Sequence, residues 1–349
     1  MELDINLLRD SLRHGSSGEL TTALKAHHPA DLATALQDLE PFAAWAILHQ
    51  AAIPRQAAVF GYLEPDFRTL LVNSIPHQDL AAIVMHMKAD DRADLYRQLT
   101  EEQRETLMPA LAQAEREDIR RLASYREGTA GAIMTSAYAA LPPDISASDA
   151  LAVLRREAPN KETIYRAYVI DSDRRLLGSV RLQDLITAPA QTRVSELMKN
   201  CSYQIRVDED AEEAARRIAH YDVIALPVVD ADDRLVGIIT HDDALDVLQA
   251  GATEDFHRVG TITHLESGVG SASIPMLYRA RIVWLMLLVF GSIFSGAGIA
   301  HFEDTIAANL ALMFFLPILI SSGGNAGSQS ATLMIRALAT GEIGLSDWT

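Results

Sequence analysis

The fold is decided by one stretch of the chain, ALPVVDADDRLVGIITHDDAL, which runs from residue 225 to residue 245. Two apolar runs rich in β-branched residues, 226–229 and 235–239, flank a short polar turn. Short runs of this kind, bounded by Asp and Gly, are typical of β-strands. The acidic pair Asp242 and Asp243 then precedes apolar residues at helical spacing, as in the first turn of a helix. The stretch therefore predicts a strand, a turn, a second strand and the start of a helix.

The same order of elements occurs earlier, in AYVIDSDRRLLGSVRLQDLI, residues 167–186. The matched positions are Val169 to Asp171 with Val228 to Asp230 (59 residues apart), Gly178 with Gly237, and Asp184 with Asp243. The copies open at Met134 and Met198, 64 residues apart, and the difference of five fits the additional loop NKETI in the first copy. These blocks resemble a pair of CBS domains, small regulatory β-α-β-β-α units that pack as a pseudo-symmetric pair. We assign the two domains to residues 129–195 and 196–248.

Residues 1–128 are predicted to form a helical domain. DLATALQDL from Asp31 and DLAAIVMHM from Asp79 start 48 residues apart, and each places apolar residues at helical spacing behind an Asp that could cap a helix. Each follows a proline, Pro29 or Pro76. The spacing predicts a weak repeat of helical hairpins that stacks into a small superhelix. Two unrelated amphipathic helices are the alternative.

The chain is strongly acidic, with a formal net charge of -17, and most of the charge precedes residue 281. Such a surface repels nucleic acid and attracts cations, although ordinary solubilising charge is the alternative. The single cysteine, Cys201, excludes an internal disulfide framework and suits a cytosolic body. The opening MELDINLLRDSLRHG is charged throughout, so no signal peptide is predicted.

Two uncharged segments follow the charged body. Residues 282–300 carry no charge and come close to the ~20 residues that cross a bilayer. A second span is predicted to start near Ile306. We expect a connecting helix over residues 243–272 and a partial transmembrane domain over residues 276–349. The predicted fold class is multidomain, with an all-α superhelical domain, an α/β CBS pair, a connecting helix and an α-helical transmembrane segment of two spans.

The orientation follows from the basic residues at the ends of the spans. Arg279 and Arg281 precede the first span, Arg336 follows the second, and the intervening HFEDTIAANL has no Lys or Arg. The positive-inside rule then places the N-terminal domains in the cytoplasm. The sequence therefore predicts a multi-pass protein of the inner or plasma membrane.

A polar stretch, SSGGNAGSQS, interrupts the second span at residues 321–330. Neighbouring glycines weaken a helix, and polar side chains at membrane depth are tolerated where they face protein or a water-filled path. We interpret Asn325 as a pore-lining residue. The alternative is that Gly323, Gly327 and Ser330 form only a small-residue packing interface.

Acidic residues cluster in KADDRADL, in RVDEDAEEAARRI and along the connecting helix. Like charges at this density repel one another unless cations bind, and hard oxygen ligands suit Mg²⁺. No Cys/His constellation has the spacing of a zinc site. In isolation any single Asp is better explained as a solvated side chain, but the joint placement just before a membrane segment favours a metal-binding role. The candidate ligands are Asp90, Asp91, Asp94, Asp210, Glu212, Asp222, Asp243, Asp246, Glu254 and Asp255.

The repeat also offers a nucleotide site. Thr240 and Asp243 stand at the start of a helix, where a hydroxyl and a carboxylate can hold the phosphate and ribose of a nucleotide. The first copy keeps Asp184 but has Arg181 where the threonine would be. We expect any nucleotide bound by Asp184, Thr240 and Asp243 to be regulatory. No nucleophile elbow, Walker loop or dinucleotide fingerprint occurs, so we predict that the chain is not an enzyme.

The order of the segments resembles the MgtE family of magnesium channels and transporters over the whole chain. The most specific stretches are LPVVDADDRLVGIITHDDALDVL, ATEDFHR and FFLPILISSGGNAGSQSATL. The resemblance implies a homodimer in the lipid bilayer with one ion pore on its two-fold axis. It also implies that cytosolic Mg²⁺ closes the pore by bridging the acidic N-terminal domain, the CBS pair and the connecting "plug" helix. ATP binding to the CBS pair is a further family property.

The resemblance assigns roles to particular positions. It implies a pore-lining role for Asn325 and a contact between Asp184 and the ribose of ATP. Its implied Mg²⁺ sensors are Asp91, Asp210, Glu212, Asp222, Asp243, Asp246, Glu254 and Asp255.

One departure from the family is large. The family has five membrane helices, with its main selectivity carboxylate on the fifth, whereas two spans are predicted here. EIGLSDWT, residues 342–349, resembles the connection to a third helix, so we expect a fragment that lacks the last three helices. The predicted function is a Mg²⁺-gated magnesium channel or transporter. The alternative is a membrane-anchored, nucleotide-sensing CBS regulatory protein without transport activity.

Overall fold

The structure is a computed structural model that describes residues 17–259, 274–308 and 310–339. The chain divides into two compact units, with the boundary between Val247 and Leu248. The first unit contains a helical domain followed by two small β-sheets, and the second contains long apolar helices. The predicted helical domain, CBS pair and helical C-terminal region are confirmed.

The helical domain is a regular array in which each helix packs on the next but one. Its helices are α1 (Ser17–Ala26), α2 (Pro29–Leu36), α3 (Pro41–Leu48), α4 (Ile53–Gly61), α5 (Pro65–Val72), α6 (His77–His86), α7 (Ala89–Gln98), α8 (Glu101–Leu107) and, after a 3-10 turn at Met108–Ala110, α9 (Gln113–Ala123). Helix α2 packs on α4, α3 on α5, α4 on α6, α5 on α7, α6 on α8 and α7 on α9. Leu32, Phe60 and Ile83 are fully buried between the helices. This pairing produces the predicted superhelix because α4, α5, α6 and α7 each pack against two other helices of the array.

Helix starts in this domain follow proline rather than a capping aspartate. Proline occupies one of the first two positions of α2, α3, α4 and α5, where its missing N–H has no intrahelical partner to lose. Asp31 was predicted as a cap, but His28 caps α2, its Nδ1 accepting from the backbone N–H of Ala30 at 3.2 Å. Asp31 and Asp79 lie in the first turns of their helices, where a negative charge complements the helix dipole.

The two repeats form matching three-stranded sheets. The first contains β1 (Tyr138–Leu141), α10 (Ala147–Glu157), β2 (Thr163–Ile170), β3 (Leu176–Arg181), α11 (Leu182–Thr187) and α12 (Val194–Leu197). The second contains β4 (Ile205–Arg206), α13 (Ala211–Tyr221), β5 (Ala225–Val229) and β6 (Leu235–Thr240). In each sheet the first strand is parallel to the second and the second is antiparallel to the third. Each sheet thus has the strand–helix–strand–strand order of the CBS unit.

The two copies exchange their opening segments. Thr135, ahead of the first sheet, bridges Ile238 in β6, and Lys199, ahead of the second, bridges Ser179 in β3. The matched glycines make room for these crossings. A Cβ at Gly178 would lie 2.6 Å from the carbonyl oxygen of Lys199, and one at Gly237 would lie 2.9 Å from that of Thr135. The pair is therefore intertwined, and the predicted boundary between the domains stays a prediction.

Long helices make up most of the second unit. The connecting helix α14 (His241–Val259) begins in the first unit, and the later part of the predicted 243–272 helix lies outside the described residues. The remaining helices are α15 (Ile274–His301), α16 (Glu303–Ala308) and α17 (Leu310–Ala339). Within the described residues, one segment is long and apolar enough to cross a membrane, Trp284–His301 in α15.

The second predicted span corresponds to α17, which has 30 residues. The polar stretch interrupts the apolar run but not the helix, since α17 continues through Gly323 and Gly324. Neither glycine has another part of the chain within 4 Å of an added Cβ. A run of i to i−4 hydrogen bonds tolerates glycine at a cost of only about 1 kcal/mol each, so two glycines do not end so long a helix. Insertion of more than one span stays a prediction.

Candidate functional site

Close packing of small residues brings helix α7 onto the second CBS sheet. Ala89 and Ala93, one turn apart on α7, are 3% and 1% exposed and belong to the apolar core of the second CBS domain. Ala244 of α14 is buried in the same core. Because alanine lets helices approach closely, the acidic residues beside these alanines meet across the contact. We call this contact the seam, defined by Lys88, Asp90, Glu162, Asp242 and Asp243.

Asp90 is the most enclosed acid of the seam. Its Oδ1 atom is buried and has no hydrogen-bond partner. Burial raises the pKa of Asp90 well above its usual range, and the nearby carboxylates of Asp243, Asp91 and Glu162 raise it further. A buried carboxylate that lacks a donor is costly in its charged form, so Asp90 favours the arrival of a proton or a metal ion.

Asp243 faces Asp90 from the start of α14. The hydroxyl of Thr240 lies within hydrogen-bonding distance of both Asp242 and Oδ2 of Asp243, the latter at 2.5 Å. Burial raises the pKa of Asp243 to about 6, with the Asp242 carboxylate adding to the rise against the opposing hydrogen bond from Thr240. Burial also acts to raise the pKa of Asp242, but the Thr240 hydroxyl and the Lys88 ammonium outweigh it and hold that pKa below its usual range.

Lys88 is the basic residue at the centre of the seam. Its Nζ lies 2.6 Å from Oε1 of Glu162 and 3.4 Å from Oδ2 of Asp242. These contacts join the helical domain to both CBS domains, since Glu162 precedes β2 and Asp242 lies in α14. The ammonium offsets part of the negative charge, but Asp90 and Asp243 are not ion-paired to it.

Asp91 and Asp94 lie on the side of α7 that faces the helical domain. A Cβ at Gly61 would approach Oδ2 of Asp91 to 2.7 Å, so the glycine makes room for this carboxylate. Burial raises the pKa of Asp91, and the guanidinium of Arg68 partly offsets the rise. Asp94 is paired with Arg97 at 2.5 Å, and its side chain is 53% exposed. Asp91 and Asp94 are therefore partly compensated by the guanidinium groups of Arg68 and Arg97.

Three other predicted ligands are engaged within helix α13. Asp210 is its N-cap and accepts from the backbone N–H of Glu212 at 2.7 Å. Glu212 pairs with Arg216 at 2.8 Å. Asp222 ends the helix in the left-handed conformation, with φ of 49°. The described structure gives each a local role, and their role as metal ligands stays a prediction.

The remaining candidates lie in α14 and α17. Asp246 is exposed one turn beyond the seam, and burial together with the Asp242 carboxylate raises its pKa. Glu254 and Asp255 lie on α14 where side chains are outside the described part of the chain. Asn325 lies near the middle of α17 and is exposed, so its pore-lining role stays a prediction.

The residues predicted to bind a nucleotide form hydrogen bonds within the protein. Asp184 accepts two hydrogen bonds from Arg181, at 2.8 and 2.7 Å, and this pairing lowers its pKa. Thr240 and Asp243 are bonded to each other at the seam. A nucleotide that uses Asp184 must therefore first displace Arg181 or bind it through a phosphate.

Sequence reasoning missed Lys88 and Glu162 as members of the seam. Glu162 belongs to the five-residue loop NKETI that the first CBS copy has and the second lacks. That insertion was the available signal, because residues that one repeat has and the other lacks are not needed for the repeat fold and can have a separate role. Lys88 gave no signal, because a lysine next to acids on a helix is ordinary.

The seam fits Mg²⁺ in its usual hydrated form. Across the described residues no three acidic, histidine or cysteine side chains converge into a ready-made metal group. Mg²⁺ keeps several waters and is commonly held by one or two carboxylates. Asp90, with a buried oxygen that has no hydrogen-bond partner among the described residues, and Asp243, with its raised pKa, are two carboxylates that could hold such an ion.

Comparison with known proteins matches the chain in three parts. The MgtE intracellular N domain matches residues 27–128, the CBS domain matches residues 130–191 and 194–250, and the MgtE divalent cation transporter family matches residues 316–349.

Relatives cover nearly the whole chain. The magnesium transporter MgtE of Thermus thermophilus is 38% identical over 344 residues, which is 98% of this chain and 76% of that protein. MgtE of Bacillus subtilis is 30% identical over 332 residues, which is 95% of this chain and 73% of that protein.

Solved structures agree with this grouping. A crystal structure of the cytosolic domain of the Mg²⁺ channel MgtE in complex with ATP is 36% identical, with a TM-score of 0.66 over 70% of this chain and 99% of that one. The soluble part of a magnesium transporter is 28% identical, with a TM-score of 0.64 over 72% and 99%. The helical domain, the intertwined CBS pair and the similarity to these relatives together show that the chain belongs to the MgtE family.

Proposed function

We propose that this chain is a magnesium transporter whose cytosolic domains sense Mg²⁺ at the seam and close the transport path when Mg²⁺ is abundant. The observation that carries the proposal is the juxtaposition of Asp90 and Asp243, two largely buried carboxylates brought together from different domains. Asp90 has an oxygen with no donor, and Asp243 has a pKa of about 6. The relatives named above as magnesium transporters support the identity of the ion.

The mechanism follows from the charges. Without a divalent cation, repulsion between Asp90 and Asp243 opposes docking of α7 on the second CBS domain. A hydrated Mg²⁺ between the two carboxylates replaces that repulsion with attraction and holds the domains together. Helix α14 begins at the seam and precedes the apolar helices in the chain, so docking is the proposed step that biases the gate.

Asp246, Glu254 and Asp255 follow the seam along the sequence of α14. We propose that they bind further Mg²⁺ in the closed state, together with Asp91 and Asp94 of α7. Asp210, Glu212 and Asp222 of α13 complete the proposed sensor set. Asn325 of α17 is the proposed contact for the transported ion, through its side-chain oxygen.

The proposed assembly is a homodimer embedded in the inner or plasma membrane with its N-terminal domains in the cytoplasm. Apolar side chains of α15 support contact with lipid, since Phe290 and Phe294 are exposed on the isolated chain. A second copy of the chain would supply the other half of a pore lined by Asn325.

ATP is proposed as a regulatory ligand rather than a substrate. The ATP complex of the related cytosolic domain supports this reading. In this chain Asp184 would contact the ribose, and Arg181 would turn from Asp184 to a phosphate. Nucleotide sensing without transport is the competing function, and it predicts ATP binding with no response to Mg²⁺.

The test compares the full chain in detergent at zero and saturating Mg²⁺ by hydrogen exchange of residues 86–97, with Mg²⁺ uptake by reconstituted vesicles as a second readout. We expect Mg²⁺ to slow exchange in this segment and to reduce uptake. Replacing the two acids, Asp243→Ala with Asp246→Ala, should abolish the Mg²⁺ dependence of both readouts.

The control is Asp208→Asn with Asp232→Asn, which neutralises two exposed acids in the same domain that pair only with Arg206 and Arg234. This variant should keep the wild-type Mg²⁺ response. A wild-type response in the Asp243 and Asp246 variant would show that these acids are not the sensor.

A further inference from the structure

Lys88 occupies the seam in a position that a bound cation would otherwise fill. Its ammonium contacts Glu162 at 2.6 Å and Asp242 at 3.4 Å. Glu162 is the enclosed partner, with a side chain only 15% exposed, whereas the side chain of Lys88 is 45% exposed. The short contact is therefore shielded from water on the carboxylate side.

Each partner is held in place by its own domain. Lys88 is the N-cap residue of α7, so its backbone is fixed by the start of that helix. The backbone N–H of Glu162 donates to the carbonyl oxygen of Ala137 at 2.7 Å, and the next residue, Thr163, pairs with Tyr138 in the first sheet. Asp242 is in the first turn of α14. The three side chains that make this contact therefore start from backbone positions fixed by helix α7, the first sheet and helix α14.

The five-residue insertion explains how Glu162 reaches Lys88. NKETI, residues 160–164, is the additional loop of the first CBS copy, and it contains Glu162. The second copy has a shorter connection between α13 and β5. The insertion therefore delivers a carboxylate from the first CBS domain to the helical domain.

The Lys88 ammonium reduces the number of carboxylate charges that Mg²⁺ has to compensate at the seam. Glu162 would otherwise add a further enclosed negative charge to those of Asp90 and Asp243, as its effect on Asp90 shows. Removing one partner of a partly buried ion pair leaves the other charge uncompensated, which is more costly than the pair is favourable. The ammonium neutralises one side of the seam and leaves the Asp90–Asp243 side for a metal ion.

We propose that Lys88 is a built-in cation of the seam, which holds the helical domain on the CBS pair through Glu162 and Asp242 at low Mg²⁺ and so sets the Mg²⁺ sensitivity. Lys88 is a positioning residue, because it acts through the docking of α7 and not by contact with Mg²⁺. The proposed effect of Lys88 on Mg²⁺ sensitivity rests on the proposed function. Its proposed effect on docking without Mg²⁺ does not depend on that function. In the absence of Lys88, Mg²⁺ has to compensate Glu162 and Asp242 in addition to Asp90 and Asp243.

The experiment follows hydrogen exchange of residues 86–97 and 160–168 in the full chain across a range of free Mg²⁺, for wild type and Lys88→Met. Without Mg²⁺, we expect exchange of both segments in the variant to be about ten-fold faster. Saturating Mg²⁺ should restore wild-type exchange, at a higher midpoint and with a steeper response. Exchange of β5 and β6 should be unchanged, since a purely structural defect would extend into that sheet.

Lys161→Met is the matched control. Lys161 is in the same insertion, but its ion pair is with Glu157 of α10, 3.7 Å away, and not with the helical domain. This variant should match wild type at every Mg²⁺ concentration. Should Lys88→Met fail to fold, Glu162→Gln removes the same contact with little change of shape and should give the same faster exchange.

The outcomes separate the two proposals. Equal exchange of wild type and Lys88→Met without Mg²⁺ would overturn the role of Lys88, as would an equal effect of Lys161→Met. Wild-type protein that shows no Mg²⁺-dependent protection would overturn the proposed sensing. A ten-fold effect of Lys88→Met without Mg²⁺ would still stand in that case. Lys88→Met combined with Glu162→Gln should be no more open than Lys88→Met alone, and additive effects would show that the two residues act separately.

Discussion

At the scale of the residue, Asp243 is a carboxyl group whose surroundings favour either a proton or a metal ion over the bare charge. Burial raises its pKa to about 6, and Asp90 beside it has a pKa raised well above the usual range. Protons and Mg²⁺ therefore compete for the same oxygens.

This competition predicts a pH dependence with a defined sign. A carboxyl whose pKa is raised in the docked state binds its proton more tightly there, so docking of the metal-free seam strengthens as pH falls below about 6 and levels off at its weakest above it. Mg²⁺ binding requires the deprotonated form. The Mg²⁺ midpoint should therefore rise by about ten-fold per pH unit below pH 6 for each proton displaced.

Mg²⁺ titrations at pH 5.5 and 7.5, read by hydrogen exchange of residues 86–97 with correction for intrinsic rates, measure this shift. Asp243→Asn removes the group that titrates near 6 and should flatten the dependence. Identical wild-type midpoints at the two pH values would contradict the assignment of Asp243 as a ligand.

At the scale of the element, the contact between α7 and the second CBS domain depends on small side chains. Ala89, Ala93 and Ala244 are all buried at 3% exposure or less. Larger residues at these positions would separate the helix from the sheet and pull Asp90 away from Asp243. The seam is thus a consequence of packing, and the acids are positioned by their alanine neighbours.

Overpacking at this contact should disturb stability and sensing together. Ala93→Leu adds methyl groups to a closely packed position and should destabilise the first unit by about 1–3 kcal/mol, measured by thermal unfolding. The same variant should need more Mg²⁺ for protection of α7. Ala46→Leu on the exposed side of α3 is the control and should change stability by less than about 0.5 kcal/mol. An unchanged Mg²⁺ midpoint in Ala93→Leu would argue that sensing does not require this contact.

The elements were predictable from sequence because each is encoded locally. Apolar spacing identified the helical domain, and the matched runs around Val169 and Val228 identified the two sheets. The seam was not predictable in the same way. It depends on which turn of α7 meets α14, and that is decided by alanines that give no pattern in sequence. Acidic clusters singled out Asp90 and Asp243, but the same signal also selected Asp222, which ends a helix.

The predicted cap at Asp31 was wrong, and the glycines that weaken a helix do not end α17. His28 rather than Asp31 caps α2, because proline at the first helical position fixes where the helix begins. The glycines of α17 do not break it, because a 30-residue helix has enough hydrogen bonds on either side. The start of α2 and the continuity of α17 each depend on the whole helix and not on one residue such as Asp31 or Gly323.

At the scale of the whole molecule, a charged unit of helices and small sheets is joined in one chain to a unit of long apolar helices. Membership of the MgtE family connects the two, since its relatives are magnesium transporters and their cytosolic part has the same fold. The proposal assigns the Mg²⁺ signal to the first unit and the ion path to the second. The proposed sensing depends on one specific arrangement of atoms, the carboxylates of Asp90 and Asp243 at the seam.

The most direct measurement is therefore a crystal structure of the full chain in Mn²⁺, which takes the same oxygen ligands as Mg²⁺ and is located by its anomalous scattering. We expect a peak between Asp90 and Asp243, about 2 Å from a carboxylate oxygen or about 4 Å through one bound water. Peaks confined to other acids, with α7 docked and no ion between Asp90 and Asp243, would contradict it.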